Sequence, residues 1–261
     1  MDINEFKDNL KLYCVYHNED YKYNFDVNSK IGRCMYYEPI VEKPWFIPYY
    51  TKEGHPNSFD SIQDIVNEFT AQVYVYKNNL YSKYIGFCHY DRQLLKKYIE
   101  DESIDLTKKV WCNDGGDFNN EYCPFNYFSY LKYNAFLLDD FIDYIKKYYT
   151  EDSRIYKTFI DNRDNYFIWS ECYICEWKYF YEIVGCVYNF ICYVTNKYNL
   201  GYISSKYKDY IKDNFNLDYT GKDRPSWILD ANNNYYRMFA YMIELIIAYY
   251  LARLKIDLEN Q

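Results

Sequence analysis

Four consecutive polar residues, His89-Tyr90-Asp91-Arg92, follow the short apolar run Tyr84-Ile-Gly-Phe-Cys and are the densest chemistry in the chain. A buried strand that delivers polar side chains at its carboxyl end is where open α/β sheets place ligands. His89 and Asp91 stand at i and i+2, and on an extended strand end they point the same way. Together they could supply a nitrogen and an oxygen to Mn²⁺ or Mg²⁺. Arg92 carries a fork of donors suited to a phosphate. A second cluster lies near the end of the sequence, where Arg237, Tyr241 and Glu244 recur at i, i+4 and i+7 on one helix face. Glu244 sits inside an apolar band, which is costly for a carboxylate unless it is paired. It either pairs with a buried arginine or faces a site.

Particular elements must position these groups. Ile62, Ile65, Val66, Phe69, Val73 and Tyr76 follow the period of one buried helix face, with Ser58 or Asp60 as cap and Asn78-Asn79 as stop. The strand ending at His89 comes next. Leu12 to His17 reads as an earlier strand, with His17 in the loop at its exit. Residues 21–58 carry Pro39, Pro44, Pro48 and Pro56 and are expected to form an extended loop with one short strand, a lid or a substrate wall. Leu94 to Glu100 is a short helix. Lys109 to Cys112 is a strand, followed by a turn at Asn113-Asp-Gly-Gly-Asp117. Helices are expected over Tyr127–Tyr149, over a segment with Ile174, Trp177, Tyr181 and Val184 on one face, and over Tyr235–Leu254. Residues 196–233 form a surface insertion. No repeat or linker divides the chain, so one domain is expected.

The motifs also carry a resemblance. Glu68-Phe-Thr-Ala, Tyr74, Tyr76-Lys77-Asn78 and Ile85-Gly-Phe-Cys-His-Tyr-x-Arg92 resemble the central motif of capsular-polysaccharide-type glycosyltransferases, E-L-T-A-x-Y-W-x-W-K-N followed by G-L-C-H-Y-R-R. Asp91 stands where that family has the first of two arginines. Looser echoes are Asn165-x-Phe-Ile, Tyr173-x-Cys-Glu-Trp177 and Arg237-x-x-Ala-Tyr-x-x-Glu244, the last departing at Ala240 and Leu245. The resemblance implies an α/β fold: a single Rossmann-like, GT-A-type nucleotide-sugar-binding domain with a mixed central sheet and a helical C-terminal part. It implies transfer of a sugar from a nucleotide-diphosphate donor to a glycan or glycoconjugate acceptor. The general base of such a reaction is Glu68, Asp164 or Glu244. Substrate and nucleotide contacts fall to His17, Thr70, Tyr90, Arg92, Asn165, Arg237 and Tyr241, with a divalent cation, if used, on His89 and Asp91. The alternative is a non-catalytic glycan- or nucleotide-binding protein on a transferase scaffold.

Composition narrows the partners. A net charge of −8 lacks the basic footprint that nucleic-acid binding demands, and eight glycines form no phosphate loop of either common type. The 38 tyrosines either furnish a carbohydrate-stacking surface or reflect the codon bias of an AT-rich genome. Nine scattered cysteines, with no leader ahead of them, read as reduced, buried thiols of a cytoplasmic protein. Cys172-x-x-Cys175 falls in a helical pattern and is expected to pack in the core. No apolar run is long enough to span a bilayer.

Overall fold

The computed structural model describes residues 1–20, 38–59, 68–112, 135–161, 172–197 and 237–260. Helix α1 (Ile3–Asp8) is capped by Asp2, whose carboxylate accepts from the backbone N–H groups of Asn4 and Glu5. It leads into β1 (Leu10–Tyr16). Next come β2 (Phe46–Tyr50), α2 (Phe69–Lys77), β3 (Tyr84–His89), α3 (Leu94–Glu100) and β4 (Val110–Cys112). The chain continues through α4 (Ala135–Tyr148), the short α5 (Arg154–Tyr156) with a wider π turn at Lys157–Asp161, β5 (Tyr173–Glu176), α6 (Trp177–Lys197) and α7 (Arg237–Glu259).

The five strands form one mixed sheet in the order β2-β1-β3-β5-β4. Strand β1 is parallel to both β2 and β3, whereas β5 is antiparallel to β3 and β4. Pro48 lies in β2, at the sheet edge, where its missing N–H leaves no ladder bond unmade. Each face carries its own core. Leu12, Cys14, Tyr84, Cys88 and Ile174 pack with Phe6 and Trp111 on one side. Tyr13, Val15, Ile85, Phe87 and Tyr173 pack on the other, against α2, α4, α6 and α7. Alternation along β3 therefore aims His89 toward the face of Ile85 and Phe87, where the long helices lie.

Gly86 holds the centre of this sheet. Its register partners are Leu12 and Ile174, and a Cβ there would come within 2.5 Å of Ile174 Cγ1, 2.7 Å of the Tyr173 carbonyl oxygen and 2.9 Å of Leu12 Cδ1. The absence of a side chain lets two large neighbours meet over β3.

Several expectations need correction. Tyr173 to Glu176 is a strand, and the helix begins only at Trp177, so Ile174, Cys172 and Cys175 are not on a helix face. A short run buried on both sides of a sheet is apolar throughout, and its periodicity cannot be told from that of a buried helix. The described part of α2 starts at Phe69, and the Ser58 hydroxyl donates to the His55 carbonyl at 2.7 Å. The stop at Asn78-Asn79 holds, with Asn79 in the left-handed region at φ 51°. Helix α7 runs on to Glu259. Asp60, Ile62, Ile65, Val66, the 113–117 turn, the start of the 127–149 helix, Asp164, Asn165 and nearly all of the 196–233 insertion lie outside the described residues.

Candidate functional site

The carboxyl ends of β1 and β3 lie side by side, with Val15 in register with His89 and the Tyr90 N–H donating to the Val15 carbonyl at 3.1 Å. From β1 the chain leaves toward β2 on one side, and it returns as β3 on the other. Such a reversal of strand order opens the crevice in which α/β sheets bind ligands. His17 follows β1, and its ring meets Tyr90 edge-on at 5.4 Å. The two strand ends thus bring His17 and His89 to one tyrosine.

After His89 the chain turns tightly, with the Arg92 N–H donating to the His89 carbonyl at 3.0 Å. This turn folds Asp91 back onto the imidazole. Asp91 Oδ1 lies 2.6 Å from His89 Nδ1, and Asp91 is buried. The other ring nitrogen, Nε2, meets the carboxylate of Glu68, which sits at the amino end of α2. That carboxylate makes no side-chain cap to the described part of its helix and reaches the imidazole instead.

An imidazole between two carboxylates is an imidazolium. Burial alone would lower its pKa, but the charges and hydrogen bonds of Glu68 and Asp91 outweigh burial and raise it to about 10. Burial would raise Glu68, yet the charge and hydrogen bond of His89, with a smaller contribution from His17, bring it down to about 2. Glu244 on α7 goes the other way. Burial, reinforced by the charge of Glu68, lifts it to about 7 against the opposing pull of Arg92 and His89. One cluster therefore holds a firmly ionised carboxylate and one poised near neutrality, a separation typical of acid–base sites.

Arg92 supplies the remaining cation. Its side chain is 40% exposed, and its Nε stands 3.9 Å from Asp91 Oδ1, so the guanidinium fork is available to an incoming anion. His89 and Asp91 do not fit the expected cation site in this arrangement. Both imidazole nitrogens are engaged by carboxylates, leaving no lone pair for a metal. Among the described residues, no group of three or more His, Cys, Asp or Glu side chains is placed to hold a metal ion.

Of the expected site residues, the structure brings together Glu68, His89, Asp91, Arg92 and Glu244, with His17 and Tyr90 at the margin. Tyr90 is buried, its ring 4.5 Å from that of His89. Thr70 is withdrawn from solvent, and its hydroxyl oxygen accepts from the Phe59 N–H at 3.0 Å, tying down the segment that precedes α2. Arg237 and Tyr241 belong to α7, although their side chains are not among those described. Behind the cluster lies a polar pair that was not anticipated. Gln72, one turn along α2 from Glu68, accepts from the Tyr173 hydroxyl at 2.8 Å. A glutamine four residues after the glutamate, within a buried helix, is the sequence signal that could have marked it.

No protein-family model matches the chain, and no curated protein matches its sequence. Among solved structures, the apo form of WbbM, a bifunctional glycosyltransferase, is similar with a TM-score of 0.52 and 13% sequence identity. The match covers 97% of this chain and 43% of that one, so the chain spans less than half the length of this neighbour. Identity at that level speaks for the fold. The described chain thus shares its α/β architecture with part of a glycosyltransferase structure.

Proposed function

We propose that the protein is a single-domain, GT-A-like glycosyltransferase that moves a sugar from a nucleotide-diphosphate donor to a glycan or glycoconjugate acceptor, akin to the capsular-polysaccharide type. The observation that carries this reading is the charged cluster at the reversal of strand order. Arg92, Glu244 and the Glu68–His89–Asp91 triad converge there at the carboxyl edge of β1 and β3. The resemblance of the central motif and the fold shared with WbbM support it.

The chemistry divides among the residues as follows. In an inverting transfer the acceptor oxygen attacks the anomeric carbon, the bond from that carbon to the diphosphate breaks, and the nucleoside diphosphate departs with the electron pair. Glu244 takes the acceptor proton. A base poised near the working pH combines a useful ionised fraction with a useful affinity for the proton. Glu68, held at about 2 by the imidazolium, is too weak a base for that role and serves to fix His89. Arg92 meets the charge that develops on the departing diphosphate through bidentate hydrogen bonds. These roles are filled by this chain's own side chains.

A thermal-shift screen across uridine, guanosine and thymidine diphosphate sugars tests the reading. A ligand present at a hundred times its Kd stabilises the folded state by about 2.7 kcal/mol. One nucleotide class is expected to raise the melting temperature of the wild type and to do so less in Arg92→Ala. The absence of a shift with every donor would overturn the assignment.

A further inference from the structure

The turn that carries Arg92 is held from behind by a residue that takes no part in the chemistry described above. Gln93 follows the turn, caps the start of α3 in position, and is buried. A polar side chain at a helix amino end most often turns onto its own helix. That of Gln93 makes no such cap. Its amide nitrogen donates instead to the Tyr90 carbonyl at 2.9 Å, inside the His89–Arg92 turn, and to the Glu38 carbonyl at 2.8 Å, on the segment that leads into β2. Both amide hydrogens thus go to backbone oxygens of two different segments. The turn's own hydrogen bond runs from the Arg92 N–H to the His89 carbonyl and does not reach that of Tyr90.

The far side of this link is anchored independently. The Glu38 carboxylate accepts from Lys96 Nζ at 2.7 Å, and Glu100, one turn beyond Lys96 on α3, bonds the ammonium of Lys43. Two ion pairs therefore fasten the segment before β2 to α3 without help from the Gln93 amide. On the other side of the turn, the Arg92 carbonyl accepts from the Cys172 thiol at 3.6 Å. Gln93 Oε1 is buried and has no hydrogen-bond partner. An unpaired buried acceptor destabilises the fold, and an apolar side chain of the same shape would not carry that penalty. What the amide supplies against it is a fixed Tyr90 carbonyl, two residues ahead of the guanidinium.

We infer that Gln93 is a positioning residue for Arg92: it orders the turn so that the guanidinium meets an incoming diphosphate already in place. The inference rests on the proposed transferase reading for the identity of that anion, whereas the order of the turn belongs to the unliganded protein. A group fixed before binding loses less freedom on binding. Gln93 therefore acts on diphosphate affinity through Arg92, and its effect disappears when the guanidinium is absent.

The test is a double-mutant cycle on the full chain with Gln93→Met, Arg92→Ala and the pair. It is read by calorimetric titration with uridine, guanosine and thymidine diphosphates and with inorganic pyrophosphate. Methionine keeps the length of the side chain and removes both donors. Gln93→Met is expected to weaken the diphosphate that binds by about tenfold when Arg92 is present and by less than about twofold in Arg92→Ala. Native-state hydrogen exchange of the Arg92 amide should quicken by about tenfold relative to that of Phe87 in β3. Lys96→Met, which cuts the Glu38 carboxylate from α3, should leave the affinity within about twofold of the wild type. Three results would each overturn the inference: an equal loss in both backgrounds, an Arg92 amide that exchanges no faster, or as large a loss in Lys96→Met. Should Gln93→Met fail to fold, Gln93→Asn, with its amide on a shorter stem, takes its place in the cycle. If neither a nucleoside diphosphate nor pyrophosphate binds the wild type, yet Gln93→Met releases the Arg92 amide, the transferase reading fails and the ordering of the turn by Gln93 stands.

Discussion

Glu68 and Glu244 feel the charge of the same half-buried imidazolium and hold their protons in opposite ways, one with its pKa lowered to about 2 and the other with its pKa raised to about 7. The difference is one of contact. Glu68 bonds His89 directly, whereas Glu244 suffers burial and the charge of Glu68 without a comparable bond.

This contrast sets a pH profile. Turnover should rise along an acid limb as Glu244 ionises near pH 7, and Glu244→Gln should lower kcat by roughly 10²–10⁴-fold and remove that limb. Stability should move the other way. A carboxylate with a raised folded-state pKa favours the protonated fold, so its contribution falls as pH rises from 4.5 to about 7. Denaturant unfolding across that window should show the decline in the wild type and a flatter curve in Glu244→Gln.

The Glu68–His89 pair predicts a different window. Glu68 is depressed, so its contribution is present above 4.5 and lost as pH falls toward about 2. His89 is raised, so its contribution is present below 6.5 and lost as pH climbs through about 10. With only three histidines in the chain, the imidazole resonances can be assigned one by one. Glu68→Gln should shift the His89 titration well below about 10.

Gly86→Ala should damage the site from a distance. The added methyl would lie 2.7 Å from the backbone oxygen of Tyr173, which cannot rotate away as the Ile174 side chain can. Overpacking of this kind costs about 1–3 kcal/mol, or a fall in melting temperature of roughly 2–10 °C for a chain of this size. Adding Ile174→Ala should not restore stability, because the carbonyl remains; a thermal melt of both variants checks this.

Arg92→Ala should weaken binding of the nucleoside diphosphate by roughly 10–100-fold, as expected for lost hydrogen bonds to a charged group, without altering the fold. Because His89 presents no lone pair, the affinity measured by calorimetry should be the same with Mn²⁺ and with a chelator. A large gain with Mn²⁺ would mean that His89 releases a carboxylate to take up metal.

Much of this frame was legible in the residues. The short apolar run Tyr84-Ile-Gly-Phe-Cys and the abrupt change from Cys88 to His89 identified the strand and its polar end, and Asn78-Asn79 marked the helix stop. The use of Asp91 was not legible. An i, i+2 pair reads as two parallel ligands, but the turn closed by the Arg92 N–H folds Asp91 onto His89 itself. Strand β5 was hidden for a related reason, since Tyr173-Ile-Cys is buried on both faces and only its pairing with β3 and β4 distinguishes it from the helix that follows. The partnership of Glu68 with His89 spans 21 residues and depends on the packing of α2 over β3, which no local pattern encodes.

In the proposed reaction Arg92 and Glu244 act on a nucleotide-sugar donor and an acceptor hydroxyl. Release of nucleoside diphosphate from a panel of such donors, with water in place of the acceptor, addresses it most directly. The wild type should hydrolyse one donor slowly, with a raised KM in Arg92→Ala and loss of kcat in Glu244→Gln. Hydrolysis at the wild-type rate in folded Glu244→Gln, or of no donor by any form, would contradict it.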